Sequence, residues 1–216
     1  MPVPVYLMPG MAAGSQIFEF IKLPKEFELY YLEWKIPAKA ETLEEYVLRI
    51  LPEIVHDNPV LIGVSFGGVI VQELSKHLSC RKVIIISSVK SNKELPYRMR
   101  ISKTMRLYHL APVKLAKAIK HISGSTLPGK LGQRLDLYKK YLSVDDAYYL
   151  RWAIKQIISW RQDEALEGVV HIHGDADPVF PARYIKDFIK IDGGTHIMII
   201  TRFKWFNKNL PLIINN

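Results

Sequence analysis

Pro59-Val60-Leu61-Ile62-Gly63-Val64-Ser65-Phe66-Gly67-Gly68-Val69 is the stretch on which the reading of this chain turns. An apolar run of strand length ends at a serine flanked by Gly63 and Gly67, and a helix-like run, Gly67 to Leu78, follows. A strand that passes directly into a helix must turn within a couple of residues. Gly63 and Gly67 carry no side chains, so the backbone can turn tightly while Ser65 takes an unfavourable conformation. Ser65 then stands at a helix N-terminus, where N–H groups and the dipole favour developing negative charge. A serine presented in this way reads as a nucleophile on a strand-to-helix elbow.

Outward from the elbow, apolar runs alternate with helical spacing. Val3 to Met8, Leu29 to Trp34, Val60 to Val64, Lys82 to Ser87, Gly168 to His173 and Asp187 to Ile191 read as six strands. Helices are expected over Glu41–Val55, with Thr42 as a cap, over Gly67–Leu78 and over Thr195–Leu210. Continuous Val/Ile runs separated by helices imply an α/β fold: about six mainly parallel strands with helices on both faces. From about Asn92 to Trp160 the rhythm breaks, with amphipathic stretches at Val113–Ile122 and Asp145–Trp160 and a loop at Ser123–Gly129. This reads as a helical cap, 92–160, inserted into a core made of 1–91 and 161–216. Tyr97, Met99, Met105, Tyr108, Trp152 and Trp160 are its candidates for shaping a pocket.

A serine hydroxyl needs a base. His196 stands out among seven histidines, because Gly193-Gly194-Thr195-His196 falls between the last strand and the last helix. His56, His77, His109 and His121 read as solvated positions on or near helices. His171 and His173 alternate on a strand, but no third metal ligand follows at a recognisable spacing. The base in turn needs an acid to fix its tautomer. His173-Gly174-Asp175-Ala176-Asp177-Pro178-Val179-Phe180-Pro181 offers two carboxylates just past the fifth strand. Asp177 suits the role, being far enough from the strand to reach across; Asp175 is an alternative acid or an Asx-type turn former, and Asp192 a third candidate.

The order Ser65, Asp177, His196 is the order of α/β hydrolases, and the chain resembles that superfamily in its small, cap-bearing, esterase-like group. The resemblance rests on the elbow Gly63–Gly68, the acid loop, which looks like His-Gly-x-x-Asp-x-x-x-Pro, and the histidine loop Gly193–Met198. It implies the α/β-hydrolase fold with the acid at Asp177. It also implies an oxyanion hole built from the N–H of Phe66 and, by position in Met8–Gly14, of Met11; Pro9-Gly10 stands where relatives often have His-Gly. No cofactor and no metal are implied. The expected activity is hydrolysis of an ester or thioester of a small molecule through an acyl-enzyme. The alternatives are C–C bond or amide hydrolysis or acyl transfer on the same triad, or ligand binding without turnover.

Composition bounds the rest. The 216 residues suit one domain, and a hydrophobic content of 49% supports a sizeable core. The single cysteine, Cys80, cannot form an internal disulfide and favours a reducing compartment. No secretory pattern opens the chain and no apolar run approaches the ~20 residues of a membrane helix, so a soluble, cytoplasmic protein is expected. The net charge of +9 is uneven: Lys90 to Lys140 holds thirteen Lys/Arg against Glu94 and Asp136, a local +11, leaving −2 elsewhere. With no nucleic-acid motif beside it, this basic run reads as a solvated face, or as a patch that meets an anionic substrate or an anionic surface; nucleic acid is not expected as a partner.

Overall fold

The structure, a computed structural model, describes residues 1–104 and 140–216. The expected helix at Val113–Ile122, the loop Ser123–Gly129, Met105, Tyr108, His109, His121 and most of the basic run lie outside the described residues. Six strands form one sheet in the order β2-β1-β3-β4-β5-β6. They are β1 (Val3–Met8), β2 (Phe27–Tyr31), β3 (Val60–Val64), β4 (Lys82–Ile86), β5 (Val169–Gly174) and β6 (Ile189–Ile191). Every pairing is parallel. The sequence expects a mainly parallel sheet of about six strands with helices on both faces, and that is the observed architecture.

The side-chain alternation of the strands divides the core in two. Tyr6 and Met8 of β1, Leu61 of β3 and Ile85 of β4 face α1 (Leu43–Ile50), α2 (Phe66–Leu74) and α4 (Ala147–Ser159). Val5 and Leu7, Ile62 and Val64, and Ile84 and Ile86 face the other layer, made by Ile17, Phe18, α5 (Met198–Thr201) and α6 (Phe203–Asn215). A further helix, α3 (Tyr97–Thr104), opens the segment that follows β4. Because the successive strands β2 and β3 lie on opposite sides of β1, the loops leaving β1 and β3 diverge. That leaves a crevice at the carboxyl edge of the sheet.

Helix ends differ from the periodicity, for local reasons. The stretch expected as one helix over Glu41–Val55 is α-helical only at Leu43–Ile50 and tightens into a 3₁₀ turn at Leu51–Glu53. Pro52 has no N–H and crowds the preceding turn. Its start is as expected, with Thr42 and Glu45 forming a reciprocal capping box. The helix after the elbow stops at Leu74, and its last turn closes through Lys76 N–H to Glu73 and His77 N–H to Leu74. The C-terminal helix breaks at Arg202 and then continues past Pro211, where burial of Leu210 and Ile214 outweighs the bond that proline removes. The second strand is two residues earlier than Leu29, and the sixth spans only Ile189–Ile191.

Three histidines depart from or qualify the sequence reading. His56 is not simply solvated: it is half-buried, packs at a tilt on Tyr30 with ring centres 4.5 Å apart and hydrogen-bonds the Tyr6 hydroxyl at 2.7 Å. His171 and His173 are both buried, with ring centres 5.0 Å apart, and no third metal-ligating side chain joins them among the described residues. Burial holds both imidazoles neutral and pushes their pKa values below the ordinary histidine range. The folded state therefore binds fewer protons than the unfolded chain once the pH falls below about 6.5. Their contribution is complete above that pH and is lost as the pH drops. The thermal midpoint should accordingly decline between about pH 7.5 and 5.5, and His171→Leu should flatten part of that decline in a pH series of thermal melts.

Candidate active site

Ser65 occupies the elbow with φ 53 and ψ −120. A left-handed backbone at a non-glycine residue is strained by roughly 1–2 kcal/mol, so its surroundings must hold it. Its N–H extends the sheet ladder to the Ile86 carbonyl at 2.9 Å, and its carbonyl accepts from Gly68 N–H at 2.9 Å and from Ser88 Oγ at 2.7 Å. The two flanking glycines are required by space. A Cβ at Gly63 would lie 2.2 Å from the Gly67 carbonyl oxygen, and one at Gly67 would lie 2.4 Å from that of Pro9.

The three residues expected to act together do meet. His196 Nε2 lies 2.9 Å from Ser65 Oγ, and His196 Nδ1 lies 2.9 Å from Asp177 Oδ2. A carboxylate can only accept, so Nδ1 carries the ring proton and Nε2 is free to accept from the serine hydroxyl. Asp177 is buried, and its second oxygen accepts from Val179 N–H at 2.7 Å and Phe180 N–H at 3.0 Å. Burial alone would raise its pKa, but the His196 hydrogen bond and charge and the two N–H groups outweigh it. The carboxyl is held below its usual range, as an anion. His173, behind it, donates from Nε2 to the Phe180 carbonyl at 2.8 Å and so closes the acid loop on itself.

The other acid candidates have other work. Asp175 Oδ1 accepts from Gly193 N–H at 2.7 Å, and Ala176 N–H donates to the Gly194 carbonyl at 3.0 Å. Asp175 thus stitches the acid loop to the histidine loop, where Gly193 has φ +62. Asp192 is exposed and pairs with Lys190 at 2.5 Å.

The loop leaving β1 runs alongside the elbow. Gly10 to Ala13 is a turn closed by Ala13 N–H to the Gly10 carbonyl at 3.0 Å. The indole N–H of Trp34 also donates to that carbonyl, at 2.8 Å, while its ring stacks on Phe66 at 5.2 Å. The N–H of Ala12 goes to the Tyr149 hydroxyl and that of Gly14 to the Tyr141 carbonyl, both at 3.1 Å. The N–H groups of Met11 and Phe66 have no acceptor among the described residues, and both residues line the cavity beside Ser65.

That cavity has a volume of about 500 Å³. Met99, Ile154, Ile157, Val179 and Phe180 wall one side, and Ile17, Val64, Ile199 and Ile200 the other. Ser65 and His196 are polar groups of its lining, and no charged side chain lines it among the described residues. Of the aromatic and methionine candidates, Met99 lines it. Tyr97 is exposed; Trp152 and Trp160 are buried in the core, their indole N–H groups held by the Glu41 carbonyl and the Glu73 carboxylate. Five cations of the basic run are engaged within the protein. Lys90 donates to the Asp187 carbonyl and Arg98 to those of Pro178 and Val179, Lys93 and Lys140 pair with Glu164 and Glu19, and Arg100 sits over Tyr97. Cys80 is half-buried, its thiol pushed up to about 11 by burial. No helix among the described residues is long and apolar enough to cross a membrane.

Residues that sequence reasoning missed include Ser88, Trp34 and Tyr149. Ser88 was the most accessible of them. The register pairs Val64 with Ile86, so Ser87-Ser88 emerges next to the elbow.

No family model and no curated protein matches the sequence. Solved structures do match along nearly the whole chain. A thermophilic esterase from Thermogutta terrifontis is 14% identical with a TM-score of 0.68, over 100% of this chain and 90% of that one. A hydrolase from Pseudomonas aeruginosa is 12% identical with a TM-score of 0.72, over 100% and 91%. An enol-lactonase from Burkholderia xenovorans is 14% identical with a TM-score of 0.68, over 100% and 92%. At these identities the shared property is the fold, and the chain has the α/β-hydrolase fold.

The close approach of the acid and histidine loops yields a direct test. A Cβ at Gly174 would sit 2.1 Å from the Gly194 carbonyl oxygen. Gly174→Ala should therefore force the loops apart and cost about 1–3 kcal/mol in urea unfolding; an unchanged midpoint would contradict the coupling.

Proposed function

We propose that this chain is a serine hydrolase that cleaves carboxylic esters of uncharged, lipophilic small molecules through an acyl-enzyme. The observation that carries this reading is the Ser65–His196–Asp177 relay, with two contacts of 2.9 Å, opening on an apolar cavity of about 500 Å³. Ser65 Oγ attacks the ester carbonyl carbon as its proton passes to His196 Nε2. Asp177, held anionic, stabilises the imidazolium that forms. The N–H groups of Met11 and Phe66 receive the oxyanion, each such donor typically contributing roughly 3 kcal/mol to the transition state. His196 returns the proton to the departing alcohol, and water then repeats the sequence to release the acid. Neighbours described as esterases and an enol-lactonase, all acting by name on ester-type bonds, support the assignment. Thioesters would react by the same steps, whereas a charged group inside this lining would be desolvated without a partner.

Four outcomes follow. Ser65→Ala should abolish hydrolysis of p-nitrophenyl esters and labelling by a fluorophosphonate; undiminished turnover would sink the assignment. Asp177→Asn should lower kcat by ~10³–10⁴ through loss of the tautomer-fixing acceptor. Across a series of acyl chains, kcat/KM should rise about fourfold per methylene, from ~0.8 kcal/mol of burial each, until the cavity is full. Homologues ending in a carboxylate should be disfavoured by at least about tenfold, because burying an unpaired charge is costly. Equal rates for the charged and uncharged series would remove the lipophilic reading.

A further inference from the structure

We propose that Tyr149 is a positioning residue for the reaction: its hydroxyl holds the Met11 turn in a strained form and ties α4 to the oxyanion side of the site. This rests on the serine-hydrolase reading. The turn Gly10–Ala13 is closed by a bond between its ends, and Ala12, at its third position, has φ 64. Met11, at its second position, is not in the positive-φ region. That combination defines a type II turn, which calls for glycine at the third position. Here an alanine stands in it, and a type I turn, with the central amide rotated by about half a turn, would suit alanine better.

The strained form persists because both ends of Ala12 are held by one remote segment. Its N–H donates to Tyr149 Oη at 3.1 Å, and its carbonyl accepts from Ser143 N–H at 2.9 Å and Val144 N–H at 3.2 Å. Tyr149 is fully buried, and its ring packs on Trp34, which itself holds the Gly10 carbonyl. Removing the hydroxyl would leave a buried N–H without an acceptor beside a strained residue. Rotating the central amide relieves the strain, but it turns the Met11 carbonyl to where the Ala12 N–H now points and displaces Met11, whose own N–H is the second oxyanion donor of the proposed reaction. An oxyanion would then lose an aligned donor. Tyr149 does not line the cavity, so substrate binding should be untouched.

The test is Tyr149→Phe, alone and combined with Ala12→Gly, on a p-nitrophenyl ester, with urea midpoints confirming the fold. Y149F should lower kcat at least tenfold and leave KM within twofold. Glycine accepts the positive φ without strain, so A12G/Y149F should return to within threefold of A12G alone. A purely structural role for Tyr149 would not produce this rescue. A kcat for Y149F within twofold of the parent, or an equal loss in both backgrounds, overturns the proposal. If Y149F does not fold, the comparison of A12G with A12G/Y149F decides alone: equal kcat supports the proposal and a tenfold loss overturns it. A parent whose turnover survives Ser65→Ala fails at the hydrolase reading itself, a result separate from the Tyr149 comparison, and the positioning role falls with it.

Discussion

The reactive edge depends on one backbone constraint, the positive φ of Ser65. The strand β3 must end and α2 must begin around that residue, and its hydroxyl must leave the sheet toward the crevice. Three bonds, to Ile86 at the end of β4, to Gly68 in α2 and to Ser88 just past β4, tie down its N–H and carbonyl, so the strain is held from both the sheet and the helix. The same constraint explains the crowding around it. Gly63 meets Gly67, and Gly67 meets the Met8 and Pro9 carbonyls, so the elbow and the loop from β1 are in backbone contact. Ser65 and the neighbouring N–H groups are thereby held close together.

A second layer of the design is electrostatic. Asp177 is buried and still anionic, because His196 and two backbone N–H groups compensate for lost water. The cavity in front of Ser65 offers no such compensation to a charge among the described residues. Among the described residues, charge is thus supported only where the protein itself supplies donors, as it does around Asp177.

Much of this was legible in the chain because the signals are local. Gly63, Ser65 and Gly67 sit within five residues, and the Val/Ile runs around them carry the parallel sheet. The choice of acid was only half legible. Asp175 and Asp177 both follow β5, and spacing favoured Asp177, but only the stitch from Asp175 to Gly193 explains why the nearer carboxylate is occupied elsewhere. Helix ends were misread where a proline acts against its surroundings: Pro52 ends a helix that periodicity would extend, and Pro211 fails to end one whose last residues are buried. The tryptophans among the pocket candidates fall in the core, where aromatics at helical spacing more often lie. Trp152 and Trp160 have the size of pocket walls, but their N–H groups find acceptors on α2 and the loop before α1, and that draws them into the core.

By itself the sequence determined the class of fold, the elbow and the order of its serine, acid and histidine. These depend on apolar periodicity, on glycines where the backbone must turn and on loops just past strand ends. Only the tertiary structure decided what steadies them. Tyr149 reaches Ala12 across 137 positions, Trp34 reaches Gly10 across 24, and Ser88 reaches Ser65 across 23. Such partners leave no mark in local spacing, because a hydrogen bond requires only that two atoms meet, and the sheet order and the packing of α4 settle which atoms do.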